Sequence, residues 1–248
     1  MNYVGGHMKK ILILAILSSF LLACGATAPL KPSDDNQFAK NYQARNQPAP
    51  ILLVPLNPKY KEFEQGAEIV LQEIGKQLIE KGWDTVTIEK SNYQQVWSKV
   101  INQVGGIYSA MSGRVDKKKY QRAINLFIGI VNKENKYATV IFPAFVIKRA
   151  ELKGQYAHWD GVKRKKVTKG GYTADHRWSG QTSALSLELF VFDGKSQWLF
   201  TSYGGLALPF YTDMKTTKLE SKFRKDLFKN EKHIQSGVHT ALLPILTQ

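Results

Sequence analysis

One cysteine, Cys24, stands in 248 residues, so the chain can form neither an internal disulfide nor a multi-thiolate metal site. Carboxylates are scarce as well: 20 Asp and Glu face 35 Lys and Arg, for a formal net charge of +15 that favours anionic neighbours. No G-x-S-x-G, H-E-x-x-H or G-x-x-x-x-G-K-[ST] motif occurs, which removes the sequence-legible routes to a hydrolase, a zinc protease or a P-loop enzyme. His233 and His239 are six residues apart, a poor spacing for ligands on one helix face. His158 and His176 lack an acidic cluster beside them, and no metal site is expected. Asp175, His176 and Ser179 supply triad residue types, but a triad is defined by geometry rather than adjacency. Long apolar runs are missing too, since no stretch approaches the roughly 20 residues that a membrane helix needs.

What is present begins with a leader. Met8-Lys9-Lys10 is a short basic start, and Ile11 to Leu22 follows as an apolar segment of a length that suits the central region of a secretory signal. The segment Leu21-Leu22-Ala23-Cys24 resembles the lipobox of bacterial lipoproteins. That resemblance implies removal of residues 1–23, with a diacylglycerol on the Cys24 thiol and an N-acyl lipid on its new amino group. It also implies outer-membrane sorting toward the periplasm, because Gly25 rather than Asp follows the cysteine. These lipids would anchor the chain without a transmembrane segment, and no cofactor is expected beyond them. Cleavage takes away Lys9 and Lys10 and no acid, which leaves 33 basic and 20 acidic groups, or +13. Export disfavours nucleic acid as the anionic partner; headgroups, acidic envelope polymers or an acidic protein surface fit the charge.

Residues 24–50 carry Pro29, Pro32, Pro48 and Pro50 among polar side chains and read as a flexible tether. Residues 51–248 read as one α/β domain. Ile51 to Val54, closed by Pro55, suits a strand buried on both faces. Phe63, Ala67, Val70, Leu71, Ile74, Leu78 and Ile79 repeat at helical spacing up to a Gly82 cap, and Thr85 to Ile88 completes a β-α-β unit. Two further helices are expected, one running from Ser91 to Met111 across Gly105-Gly106 and one starting at Asp116. Tyr137 to Ala150 is strand-prone, and Pro143 there implies a bulge or an edge register. Thr182 to Phe192 and Trp198 to Tyr203 form a hairpin around Asp193-Gly194, after which Gly204-Gly205 is expected to loosen the chain. A basic, exposed stretch from Lys215 leads to a last helix carrying Ile234, Val238, Ala241, Leu242 and Leu243 before Pro244. The fold class is therefore a mixed sheet flanked by helices.

Between those strands, residues 153–181 look like a basic hairpin insertion. Lys163, Arg164, Lys165 and Lys166 form its tip, with Trp159, Tyr172, Arg177 and Trp178 on its flanks. Cations beside aromatics suit acidic glycans, headgroups or a protein hot spot, which makes these eight residues the candidate partner-binding set.

Ile51-Leu52-Leu53-Val54-Pro55, the helix that follows to Gly82, and Leu185 to Ser202 around Asp193-Gly194-Lys195 resemble a group of periplasmic lipoproteins. The group includes the curli secretion protein CsgG, the polysaccharide export protein PelC and the penicillin-binding-protein activator LpoB. The resemblance implies a non-enzymatic accessory or regulatory part in envelope assembly or export, through an envelope protein or an anionic polymer. Homo-oligomerisation stays open. The alternatives are an enzyme acting on an envelope polymer and a subunit of an export pore, the latter opposed by Lys and Arg where lipid-facing strands would need apolar side chains.

Overall fold

The structure, a computed structural model, describes residues 31–42, 50–58, 60–109, 112–133, 135–170, 177–214 and 220–246. Cys24 and the expected leader before it, and Tyr172, Asp175 and His176, lie outside the described residues.

The first strand falls inside the expected tether. β1 (Gln37–Phe38) is followed by β2 (Ile51–Leu53), whose three apolar residues are all buried, as a strand covered on both faces requires. A short 3-10 turn leads into α1 (Glu64–Glu80), which presents Ala67, Val70, Ile74 and Leu78 to the core and ends before Gly82 at φ 84°. β3 (Thr85–Thr87) pairs parallel with β2. α2 (Lys90–Val104) stops at Gly105, a left-handed cap, rather than running on across the glycine pair. α3 (Lys117–Val131) starts where Asp116 accepts hydrogen bonds from the Lys118 and Lys119 amides at 3.0 and 3.1 Å.

β4 (Thr139–Gly154) and β8 (Trp178–Asp193) are both 16 residues long and pair antiparallel from Thr139 opposite Asp193 to Gly154 opposite Trp178. The register runs unbroken through Pro143: β2 pairs with β4 only as far as Ile141, so beyond it the proline is not asked for a donor on that side. Between these long strands lie β5 (Tyr156–Trp159), β6 (Val162–Lys165) and β7 (Thr168–Lys169). β9 (Trp198–Ala207) returns beside β8 and carries β1 on part of its other edge. β10 (Phe210–Asp213) and β11 (Glu220–Phe223) make a second, three-stranded sheet with β7. α4 (Glu231–Leu246) follows and includes Pro244 in its last turn instead of ending before it.

The main sheet therefore has the order β1-β9-β8-β4-β2-β3, with β5 and β6 attached to the far half of β4. One face is covered by α1 and α4 over Leu185, Leu187, Leu189 and Val191. The other is covered by α2 and α3 over Leu52, Val140, Phe142 and Phe192. The fold class is the mixed α/β sheet expected from the sequence. Two glycines thought to loosen the chain do the reverse. A Cβ on Gly204 would strike the Gly237 carbonyl of α4, and one on Gly205 would strike Trp159 and Val162, so the pair lets a helix and a hairpin close on opposite sides of β9.

The folded unit includes residues that the sequence assigned to a tether. Residues 31–42 are bound to the domain: β1 pairs with β9, the Tyr42 hydroxyl donates to the Pro244 carbonyl at 2.9 Å, and the Asn36 side chain accepts from the Tyr203 amide at 2.9 Å. Polar composition suggested solvation, but these polar groups are spent on the edge of β9.

Candidate functional site

The basic segment does not form a free tip. β4 and β8 absorb residues 153–154 and 178–181 into their ladder, and β5–β6 folds back antiparallel on β4. A strand alternates its side chains, so consecutive cations separate onto two faces.

The inner face is packed. Ala150, Leu152, Ala157, Trp159, Val162, Ala184 and Leu208 form a small core of their own, with Trp178 against it. Trp159 and Arg164 are buried, which corrects their expected place on a binding surface. Trp159 Nε1 donates to Ser186 Oγ at 3.1 Å. Arg164 Nη2 reaches the Gly205 carbonyl at 3.1 Å, the His233 carbonyl at 3.0 Å and Ser236 Oγ at 2.8 Å, which clips the hairpin to β9 and α4. Burial lowers the Arg164 guanidinium to about 10, still charged at neutral pH.

At the turn between β5 and β6, Asp160 holds φ 38°, and its backbone carbonyl accepts from the Gly205 amide at 3.2 Å. Its carboxylate accepts from Ser33 at 2.7 Å, from Ser186 at 2.5 Å and from Lys148 Nζ at 3.0 Å. Lys148 also pairs with Asp35 and lies 3.8 Å over the Tyr203 ring. Burial raises the neighbouring Glu188 carboxyl, with a hydrogen bond to Tyr203 and the Lys148 charge opposing. Serine, aspartate and lysine together have the residue types of a hydrolase. Ser186, however, has no exposed surface, and each partner is committed to holding the Ser33 segment and the hairpin turn.

The outer face is different in kind. Pairing places Gln181, Glu151, His158 and Lys163 in one row across β8, β4, β5 and β6, and Ser179, Lys153, Tyr156 and Lys165 in the next. Arg149 extends it at one end and is exposed, and Arg177, exposed as well, immediately precedes β8. Among the described residues, four cations, Arg149, Lys153, Lys163 and Lys165, thus share this four-strand face with one carboxylate, Glu151, which pairs with Lys153 at 2.7 Å. The hydrogen bond and charge of Lys153 hold the Glu151 carboxyl below its usual range. Lys163 Nζ stands 4.1 Å over the Tyr156 ring. Partial burial and the charges of Lys163 and Lys153 lower the His158 imidazole, so it is neutral at physiological pH. Lys166, partly desolvated and lowered by it, lies 4.4 Å over Trp178.

Of the predicted residues, the structure brings Lys163 and Lys165 onto the outer face, leaves Arg177 exposed just before β8, stacks Lys166 on Trp178 beside the inner core, and takes Trp159 and Arg164 inside. Sequence reasoning missed Arg149 and Lys153. Their alternation with buried Ala150 and Leu152 is the signal that marks them as outward-facing. Among the described residues no group of three or more His, Cys, Asp and Glu is placed to hold a metal ion, and no helix is long and apolar enough to cross a membrane.

No protein-family model and no curated protein sequence matches the chain. Among solved structures it is similar to a PelC dodecamer from Paraburkholderia phytofirmans, with a TM-score of 0.38 and 9% identity over 86% of this chain and 98% of that one.

Proposed function

We propose that the chain is a non-enzymatic, lipid-anchored accessory component of the bacterial envelope, carried on the outer membrane and facing the periplasm. Its task is to hold an anionic envelope component against the outer face of β8, β4, β5 and β6. The observation that carries this reading is the charge of that face: four cations to one carboxylate among the described residues, on a regular ribbon braced from behind by a packed core. A braced ribbon loses little conformational entropy on binding, which favours recognition by its fixed charges and rings. The same cations oppose a lipid-facing role in the wall of a pore, which needs an apolar outward row. The hydroxyl, carboxylate and amine groups that come together elsewhere are engaged in tying the strap at Ser33 to the fold.

The test is a photo-crosslinking residue at position 165 in the intact envelope, with and without Lys153→Glu and Lys163→Glu. The reading expects a discrete adduct that the two charge reversals abolish. An adduct pattern indifferent to those reversals overturns it.

A further inference from the structure

The chain enters the fold at the corner where this basic face begins. The Lys31 carbonyl lies against Gly161, so closely that a Cβ on the glycine would collide with it, and Gly161 is the turn residue joining β5 to β6. Ser33 is fixed to the adjacent Asp160 at 2.7 Å, and Asp35 pairs with Lys148. Lys163 is two residues beyond Gly161 on β6, about 7 Å along a strand, and Lys165 is two further on. Only six residues, Gly25 to Leu30, separate Cys24 from Lys31. Seven Cα steps, even fully extended, span no more than about 25 Å.

We infer that the outer face of β5, β6 and the far half of β4 lies on anionic phospholipid headgroups of the same membrane that holds the lipidated Cys24. Covalent length and charge both point there. The anchor confines the hairpin to a shell a few screening lengths deep, since electrostatic attraction decays over about 8 Å at physiological salt. Within that shell the effective concentration of headgroups is high, so even a weak attraction per cation orders the domain on the surface. Lys153, Lys163 and Lys165 are exposed, and Tyr156 between them is an amphipathic ring suited to a headgroup layer. Asp34, exposed at the same corner, and Glu151, paired with Lys153, are the opposing charges, while Asp35 is paired with Lys148. The inference rests on the reading above that this face is the binding surface, and it names the partner's chemistry.

The experiment uses the whole mature chain, residues 24–248, with Cys24→Ser so that the acyl anchor does not dominate. Its sedimentation is measured with vesicles of phosphatidylcholine alone and of phosphatidylcholine mixed with phosphatidylglycerol, at lipid concentrations on the order of the millimolar scale that the short anchor segment imposes. The expected result is partitioning onto the mixed vesicles only, falling as salt rises. At roughly fivefold per cation near an anionic surface, Lys153→Gln, Lys163→Gln and Lys165→Gln together should weaken it about hundredfold with an unchanged melting temperature. Equal binding to both vesicle types, or a triple variant that binds like the parent, overturns the inference. If neither vesicle is bound while the envelope crosslink at position 165 still depends on Lys153 and Lys163, the membrane surface is excluded and the binding role of the face survives.

Discussion

Lys163, Arg164 and Lys165 are neighbours in sequence and have opposite fates. Arg164 is 8% exposed and clips the hairpin to β9 and α4, whereas the lysines on either side stand on the outer face, one above Tyr156. The same split runs through β5, where Ala157 and Trp159 face inward and Tyr156 and His158 outward. A basic run in a strand is thus two surfaces with two functions. The inner one supplies structure, because a buried charge must be hydrogen-bonded, and the outer one supplies a potential, because exposed charges cost little to maintain.

The comparison breaks most visibly at Asp160. Asp160→Ala removes the acceptor of Ser33, Ser186 and Lys148 and leaves a largely buried ammonium with Asp35 as its remaining ion-pair partner. A loss of about 3 kcal/mol is expected, the scale for breaking a buried pair. The matched outer-face change, Glu151→Ala, should leave stability close to that of the parent, since its pair with Lys153 is exposed. Chemical denaturation of both variants checks this, and similar losses would erase the distinction between faces. Next in size is Arg164→Met, which keeps the stem and deletes the charged donors. Leaving the Gly205 and His233 carbonyls without Nη2 should cost about 2 kcal/mol, with protease cleavage appearing first in the β5–β6 hairpin.

A pH scan sharpens the inner side further. His233 is lowered to about 4, by burial first and then by Arg164 and Arg224. The folded state therefore binds fewer protons than the unfolded one, and stability is retained above the unfolded value near 6.5 and lost progressively as pH falls toward 4. His158 on the outer side is lowered in the same direction, and Glu188, raised by burial, acts oppositely over the lower part of that range. His233→Gln should flatten the fall in melting temperature between pH 6.5 and 4, while His158→Gln should flatten it less because that ring is less buried.

Much of this architecture was legible and some of it could not be. The buried β2, the stripe of α1, the Asp116 cap and the pairing of β8 with β9 follow from apolar period, capping chemistry and turn residues. Local signals failed where partners are distant. The strap at residues 31–42 is polar because it serves β9 and Asp160, over a hundred residues away, and reads locally as tether. Gly204 and Gly205 look like a loosening point until Gly237 and Trp159 are known to occupy their missing side chains. At Asp193, the left-handed turn residue is Ser196, while Gly194 is needed because the Tyr137 carbonyl passes so close. The site was half legible. Composition located the basic aromatic segment, but the face of each residue depends on the register of β5 against β4, which a run of four cations does not reveal.

The smallest stability effect is the one that bears most on function. Lys163→Gln with Lys165→Gln removes two charges from β6 and leaves its inner row, Val162 and Arg164, untouched. Neither lysine is buried, so the stability should stay within the range of ordinary surface changes, about 0.5 kcal/mol or less. Capture of the proposed anionic partner should nevertheless fall, and with it the slope of binding against salt concentration, because fewer counterions are displaced. Arg164→Met reverses the pattern, lowering stability while leaving the outer charge in place. If the lysine pair destabilised the fold as Arg164→Met does, the outer row would be structural and the basic face would be only the solvated side of a hairpin. If stability holds and binding falls, alternation along a single strand has separated the residue that builds this surface from the residues that use it.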